Sequence, residues 1–414
     1  MLVLGLACPG ATSGSRSSSV AASRGAVVQP GLEVLLRDSV RLVRARGVGL
    51  VTNPSGVDHL GRSGVEVLRQ AGVRVVALFS PEHGFRGSTG PGAPVPSTVD
   101  SATGLPIYSL YGATSAPTDA MLAGVDIMLV DLQDAGARYF TYLWTTTEVM
   151  RAAARHGIPV VVLDRPNPLG GTVQGNVLDT AYRSAVGLLA VPMRHGMTLG
   201  ELARLANAEL GLGSALTVVP AVGWRRSMYF EDTGLPFVPP SPNLPGMEAL
   251  VNYPGLCLFE GTSLSVGRGT DHPFEQVGAP WLDTTVVLAA LRAAMLPGVA
   301  FGGVTFLPAR PGDGKFADTL VRGIRLRVVD RRAYDPTITA LAMLDALSAP
   351  EALGGHPLFP ASRAHFKRLL ASAALRPDGT LRPGTSWRSL ASAWPNREAA
   401  FRVRRRPYLI YPER

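Results

Sequence analysis

The chain has 414 residues, 46% hydrophobic and 17% charged, which is enough to bury large cores and long enough for two domains. Its formal net charge of +9 suggests nucleic acid at first sight, but only two of its 40 basic residues, Lys315 and Lys367, are lysines, and no basic stripe or aromatic-basic module accompanies the scattered arginines. Nucleic acid is therefore not expected as a partner, and two cysteines, Cys8 and Cys257, exclude a disulfide framework. The one dense basic run, "RVRRRP" at 402–407, leaves attraction to an acidic polymer or an anionic envelope surface open.

Residues 1–30 pass from a short apolar start into a Ser/Ala/Gly stretch without helical or strand period, like the end of a secretory signal that lacks its basic n-region. A secreted or envelope location is expected, with a disordered tail on a cytoplasmic protein as the alternative. No stretch reaches the roughly twenty apolar residues of a membrane-spanning helix.

From residue 31 the pattern alternates. Apolar, β-branched runs at 48–52, 73–78, 127–130 and 159–163 are too continuous for half-exposed strands and predict buried parallel ones. Helical patterns at about 63–71, 117–124 and 145–156 lie between them. This βαβ order predicts an α/β fold, a Rossmann-like doubly wound parallel sheet over residues 31–230. A further helix at 198–211 opens with Thr198 and Glu201 spaced as a capping box. After a Pro/Gly/Asn-rich passage near 225–240, helical patterns at about 283–296, 334–348 and 361–374 and strand-like runs "LFEGT" and "IRLRVVD" predict a smaller α+β domain over 231–414.

Each predicted strand of the first domain runs into a polar loop: "TNPSGVDH", "SPEHGFRG", "DLQDAGARYFTY" and "DRPNPLGG". Strands of a parallel sheet share one direction, so these loops meet along one rim, where such folds bind ligands. The loop after the first strand, "NPSGVDHLGRSG", lacks the glycine fingerprint of a dinucleotide site, and no Walker A sequence occurs, so no nucleotide cofactor is expected. Seven histidines include no H-E-x-x-H and no close His/Cys pair, so no metal is expected either. No G-x-S-x-G is present for a serine nucleophile.

The rim does hold carboxylates: Glu82, Asp131, Asp134 and Asp164. Buried acids need partners, so each either forms an ion pair with Arg86, Arg138 or Arg165 or does acid/base work. Glu82 stands between Pro81 and His83 and beside Phe79 and Phe85, where partial burial would suit a general acid. In the second domain "CLFEGTSLSVGRGTDHPFE" (257–275) places Glu260 after an apolar run and Arg268 between two glycines. Those glycines either shape a turn or hold the guanidinium at a ligand, and arginine suits two-point recognition of a carboxylate. Acids and arginines together suggest an anionic, oxygen-rich substrate.

The motifs "GLVTNPSGVD", "LFSPEHGFRG", "YSLYG", "DLQDAGARYFTYLWT", "LDRPNPLGG", "RHGMTLGELA", "PSPNLPGMEA" and "LFEGTSLSVGRGTDHPFE", in this order, resemble the exo-β-N-acetylmuramidases of the NamZ type. The resemblance implies a glycoside hydrolase without metal or nucleotide, with its site in the cleft between a Rossmann-like and a smaller domain. It would release N-acetylmuramic acid from the non-reducing ends of peptidoglycan fragments. Glu82 is expected as the acid, with Asp131 and Glu260 as candidates for the second catalytic group. Asp134 is a further candidate, and Tyr142 and His83 are possible supporting donors. Arg138, Arg165 or Arg268 would hold the lactyl carboxylate and Asn167 or Asn243 the acetamido group. Asn53, Arg86, Asp164, His195 and Thr270, in or beside the matching motifs, complete the expected binding set. A noncatalytic muropeptide-binding protein and a dinucleotide-dependent oxidoreductase are the competing readings.

Overall fold

The structure, a computed structural model, describes residues 27–90 and 92–413. The signal-like segment, up to residue 26, lies outside them, as does Cys8.

The first layer opens with helix α1 (Gly31–Asp38) and strand β1 (Val48–Thr52), followed by α2 (Gly64–Gln70), β2 (Val75–Ser80), a short β3 (Thr98–Val99) and β4 (Pro106–Ser109). Strand β5 (Ile127–Asp131), helix α3 (Tyr142–Arg155) and strand β6 (Val160–Leu163) come next. A ribbon of β7 (Gln174–Val177) and β8 (Pro192–Arg194) precedes α4 (Leu199–Glu209) and β9 (Leu216–Val219). Seven strands form one sheet in the order β3-β4-β2-β1-β5-β6-β9, parallel throughout except for β3.

The continuous apolar runs are explained by helices on both faces. Successive strand residues point to opposite faces. Leu50, Leu78, Leu129 and Val161 meet Leu32, Leu35, Val65 and Leu68 of α1 and α2. Val51, Phe79, Val130 and Val162 belong to the larger core with Val149, Met150, Leu202 and Leu205 of α3 and α4. Gly49 is required in the middle of β1, because a Cβ there would stand 2.6 Å from the Met128 sulfur. The predicted capping box of α4 forms between Thr198 and Glu201.

The second part contains α5 (Met247–Leu256), a three-stranded antiparallel sheet of β10 (Gln276–Ala279), β11 (Val299–Phe306) and β12 (Val321–Val328), and α6 (Thr284–Ala293) and α7 (Pro336–Leu347). Three more helices follow: α8 (Ala364–Leu370), α9 (Trp387–Ser392) and α10 (Trp394–Arg405). Two sequence expectations fail, one in each part. Residues 117–124 form turns instead of a helix, since Pro117 and Gly124, at φ 76°, bound a segment too short to propagate one. The "LFEGT" run is a 3-10 turn, Cys257–Gly261, that continues α5. Short apolar runs do not separate strand from buried helix. Here Gly255 and Gly261 decide, because added Cβ atoms would stand 1.9 Å from the Pro336 carbonyl oxygen and 2.5 Å from the Phe366 backbone, so the run packs directly against α7 and α8.

The end of the chain returns to the first layer. The Tyr411 hydroxyl donates to Asp164 (2.8 Å) and accepts from the Ala221 N–H (2.8 Å), while its ring packs edge-on against Trp224. Arg204 of α4 donates to the carbonyls of Pro407, Tyr408 and Leu409. Among the described residues no helix is long and apolar enough to cross a membrane.

Candidate active site

A cleft of about 400 Å³ opens beyond the carboxyl ends of β2, β4 and β5, and its opposite wall comes from residues 253–274, 312–315 and His365. The first wall is built on strand ends. Glu82 stands two residues beyond the end of β2 and is only 8% exposed. Its Oε2 accepts from the Thr141 hydroxyl at 2.7 Å and its Oε1 from the Gly92 N–H at 2.8 Å. Tyr111, beyond β4, faces the same carboxylate, and burial together with the Glu82 charge pushes its phenol up to about 12. It therefore stays a protonated donor. His83 adopts φ 71°, uncommon for a residue with a side chain, and so turns the chain sharply after Glu82. Its Nδ1 lies 2.9 Å from the Thr89 carbonyl, which fixes the proton there, and burial lowers its pKa against the opposing pull of Glu82.

On the opposite wall Glu260 sits in the turn after α5. Arg268 grips its Oε1 through Nε at 2.9 Å and through Nη2, and the Cys257 thiol lies 3.5 Å from Oε2. Arg268 Nη1 is buried and has no partner among the described residues. Its guanidinium lies 5.3 Å from the centre of the Phe274 ring. Burial, reinforced by Glu260, pushes the Cys257 thiol well up, so this cysteine is a packing residue. Tyr139, Phe140, Tyr253 and Phe274, in edge-to-face contacts, supply apolar surface to the same cleft. Asp313 and Lys315 approach from a loop beyond β11.

Of the expected site residues, Glu82, His83, Glu260 and Arg268 line the cleft and the other twelve do not. Asp131, a catalytic candidate by sequence, is buried in an ion pair with Arg165 at 2.5 and 3.0 Å, and Arg165 also donates to the Val57 carbonyl. Asp164 takes three hydrogen bonds, from Thr198, Gly200 and Tyr411. Asp134 accepts from the Gly136 N–H and lies 3.6 Å from His195. Arg138 donates to the carbonyls of Asn176, Leu369 and Leu370, holding the end of α8. Asn53 donates to Tyr142, whose hydroxyl donates to the Pro240 carbonyl. Asn167 closes its own loop through Leu169 and Met197, Thr270 does the same with Gly267, and Arg86 pairs with Asp100. Asn243 shares a loop with the cleft residues Ser241 and Leu244 but does not line the cleft. Polar rim residues are thus mostly consumed in tying loops together, as buried polar groups must be.

Sequence reasoning missed Tyr111, Thr141, Asp313, Lys315 and His365. Tyr111 lies in "YSLYG" and Thr141 in "DAGARYFTY", so the motifs contained them. Asp313 and Lys315 lie in "PGDGK", whose one available signal was a lysine in an arginine-rich chain. Among the described residues no group of three or more His, Cys, Asp or Glu is arranged to hold a metal ion.

Residues 48–248 match the family model for the N-terminal part of exo-β-N-acetylmuramidase NamZ, and residues 251–411 match that for its C-terminal part. The peptidoglycan β-N-acetylmuramidase NamZ of Bacillus subtilis (strain 168) is 40% identical over 408 residues, 97% of this chain and 95% of that protein. The crystal structure of a DUF1343 family protein from Bacteroides fragilis matches with a TM-score of 0.82 at 32% identity, covering 93% of this chain and 99% of that one. A second DUF1343 protein from the same organism matches with a TM-score of 0.73 at 31% identity, covering 94% and 99%. With both halves matched and a curated relative aligned along nearly its whole length, the chain belongs to the NamZ family of exo-β-N-acetylmuramidases.

Proposed function

We propose that the protein is a glycosidase that releases N-acetylmuramic acid from the non-reducing end of peptidoglycan fragments, using Glu82 as general acid and Glu260 as the second carboxylate. The observation that carries this assignment is the convergence of two acids, 178 positions apart, on one cleft with aromatic walls. Hydrolysis of a glycosidic bond ordinarily takes such a pair. Glu82, between Tyr111 and Thr141, is placed to protonate the leaving oxygen. Glu260, its direction fixed by Arg268, faces the sugar and orients the attacking group, water or the sugar's own acetamido oxygen. Arg268 Nη1, a buried donor without a partner, supports a role for this arginine in reading the lactyl carboxylate. A secreted or envelope location is proposed with this activity, on the composition of residues 1–30.

The test is incubation with a disaccharide carrying N-acetylmuramic acid at its non-reducing end and with one carrying it at the reducing end. Release of N-acetylmuramic acid from the first alone, without added dinucleotide, is expected. Tight binding without release would leave a wall-binding protein, for which two acids facing an anionic sugar serve no purpose.

A further inference from the structure

We propose that Lys315 is a positioning residue for the reaction: its ammonium fixes the turn that carries Glu260 and so sets where that carboxylate points in the cleft. The inference rests on the assignment of Glu260 above. Helix α5 runs into the turn Cys257–Gly261, whose final carbonyls have no helical partners. Lys315 Nζ lies 3.1 Å from the Glu260 carbonyl, 2.9 Å from those of Thr262 and Leu264, and 3.5 Å from that of Phe259. Three ammonium hydrogens thus meet three close acceptors at the negative end of a helical run, where a cation is favoured.

The residue type is informative. In a chain whose other basic residues are, with one exception, arginines, a lysine stands here. Converging carbonyls suit a compact point charge, whereas a guanidinium presents a planar fork. Desolvation lowers the Lys315 pKa, opposed by Asp313 and Glu260 and assisted by Arg268.

The clamp also explains a strained segment. Arg310, Phe316 and Asp318 have φ of 50°, 55° and 52°, a region that residues with side chains rarely adopt. Such strain persists only where the surroundings over-determine the conformation. Lys315 anchors this loop at one point, and the Ala309 N–H donates to the Gly269 carbonyl at another, 2.8 Å away. Asp313 is thereby held at the cleft. The loop and the Glu260 turn form one preset wall, with the lysine as its pin.

The test uses the full chain with Lys315→Met, Lys315→Arg, Glu260→Gln and the double variant Lys315→Met/Glu260→Gln, each assayed below its own melting temperature on a muramyl disaccharide. A displacement near 1 Å costs about 100-fold in rate. Lys315→Met is therefore expected to lose about that much kcat while KM stays within roughly threefold, and Lys315→Arg to fall between it and the wild type. The double variant should be no slower than Glu260→Gln alone, because the lysine acts through Glu260. A folded Lys315→Met enzyme with wild-type kcat, or losses that multiply in the double variant, would overturn the proposal. If Lys315→Met does not fold, Lys315→Arg decides, since a wild-type kcat there refutes a requirement for ammonium geometry. Wild-type turnover in Glu260→Gln would instead remove the assignment of Glu260, and this inference with it.

Discussion

Replacing Glu82 by glutamine tests the acid role with little disturbance to the fold. The carboxylate accepts from the Thr141 hydroxyl on one oxygen and from the Gly92 N–H on the other, with the Tyr111 phenol facing it as well. A glutamine amide keeps its oxygen on Gly92 and turns its NH2 to Thr141, whose hydroxyl rotates to accept, so both contacts survive. Stability should change by less than about 1 kcal/mol, the net worth of one ordinary hydrogen bond. Catalysis should not survive. A positioned proton donor contributes about 10²- to 10⁴-fold, equivalent to roughly 3–5 kcal/mol of barrier. The informative assay compares leaving groups. A sugar leaves as a strongly basic alkoxide unless its oxygen receives the proton, whereas a nitrophenolate leaves without it. Glu82→Gln is expected to lose the full factor on a muramyl disaccharide and to remain within about tenfold of wild type on a nitrophenyl muraminide. Equal losses on both substrates, or an unchanged rate on the disaccharide, would refute the assignment of Glu82 as the acid.

Removing the guanidinium with Arg268→Ala should collapse the preference for a muraminide over the matching glucosaminide, which lacks the lactyl carboxylate. A hydrogen bond to a charged group is worth about 1.5–3 kcal/mol, so the ratio of kcat/KM values should fall by roughly 10- to 100-fold, and an unchanged ratio would place carboxylate recognition elsewhere. Asp131→Ala should behave in the opposite way, losing about 3–5 kcal/mol in thermal or urea denaturation by stranding Arg165, while kcat of the folded protein is retained. Burial raises the Asp164 carboxyl to about 7, against an unfolded value near 3.9. The folded protein thus holds a proton that the unfolded chain releases between these values. This contribution to stability is full below about pH 4 and is lost as pH rises through about 7. Asp164→Asn should flatten that slope in urea midpoints measured across the window, and profiles parallel to wild type would contradict it.

The central strands were legible because burial on both faces imposes an uninterrupted apolar run, and the α4 cap because its residues lie three apart. The cleft was half legible for a related reason. Glu82 stands two residues after a buried strand, and Glu260 after an apolar run. Whether a rim acid is free or consumed depends on distant residues, however. Asp164 and Asp131 look alike in sequence, yet one is occupied by Tyr411, 247 positions away, and the other by Arg165. The basic run near the end was similarly ambiguous. Arg405, within it, is buried and donates to the carbonyls of His195 and Gly196, so part of the apparent surface charge is structural mortar. Tyr111 was hidden because β4 is short and only half buried, and Lys315 because its partners are backbone carbonyls, which no side-chain pattern announces.

The return of Tyr411 to Asp164 and Ala221 has a consequence for biosynthesis. Ala221 and the tyrosine that seals its edge are separated by 190 positions. At about 5–20 residues per second, a ribosome needs roughly 10–40 s to bridge that gap. During that interval the nascent Rossmann-like layer carries an unlatched flank, which closes only after Tyr411 has been added and has left the ribosome.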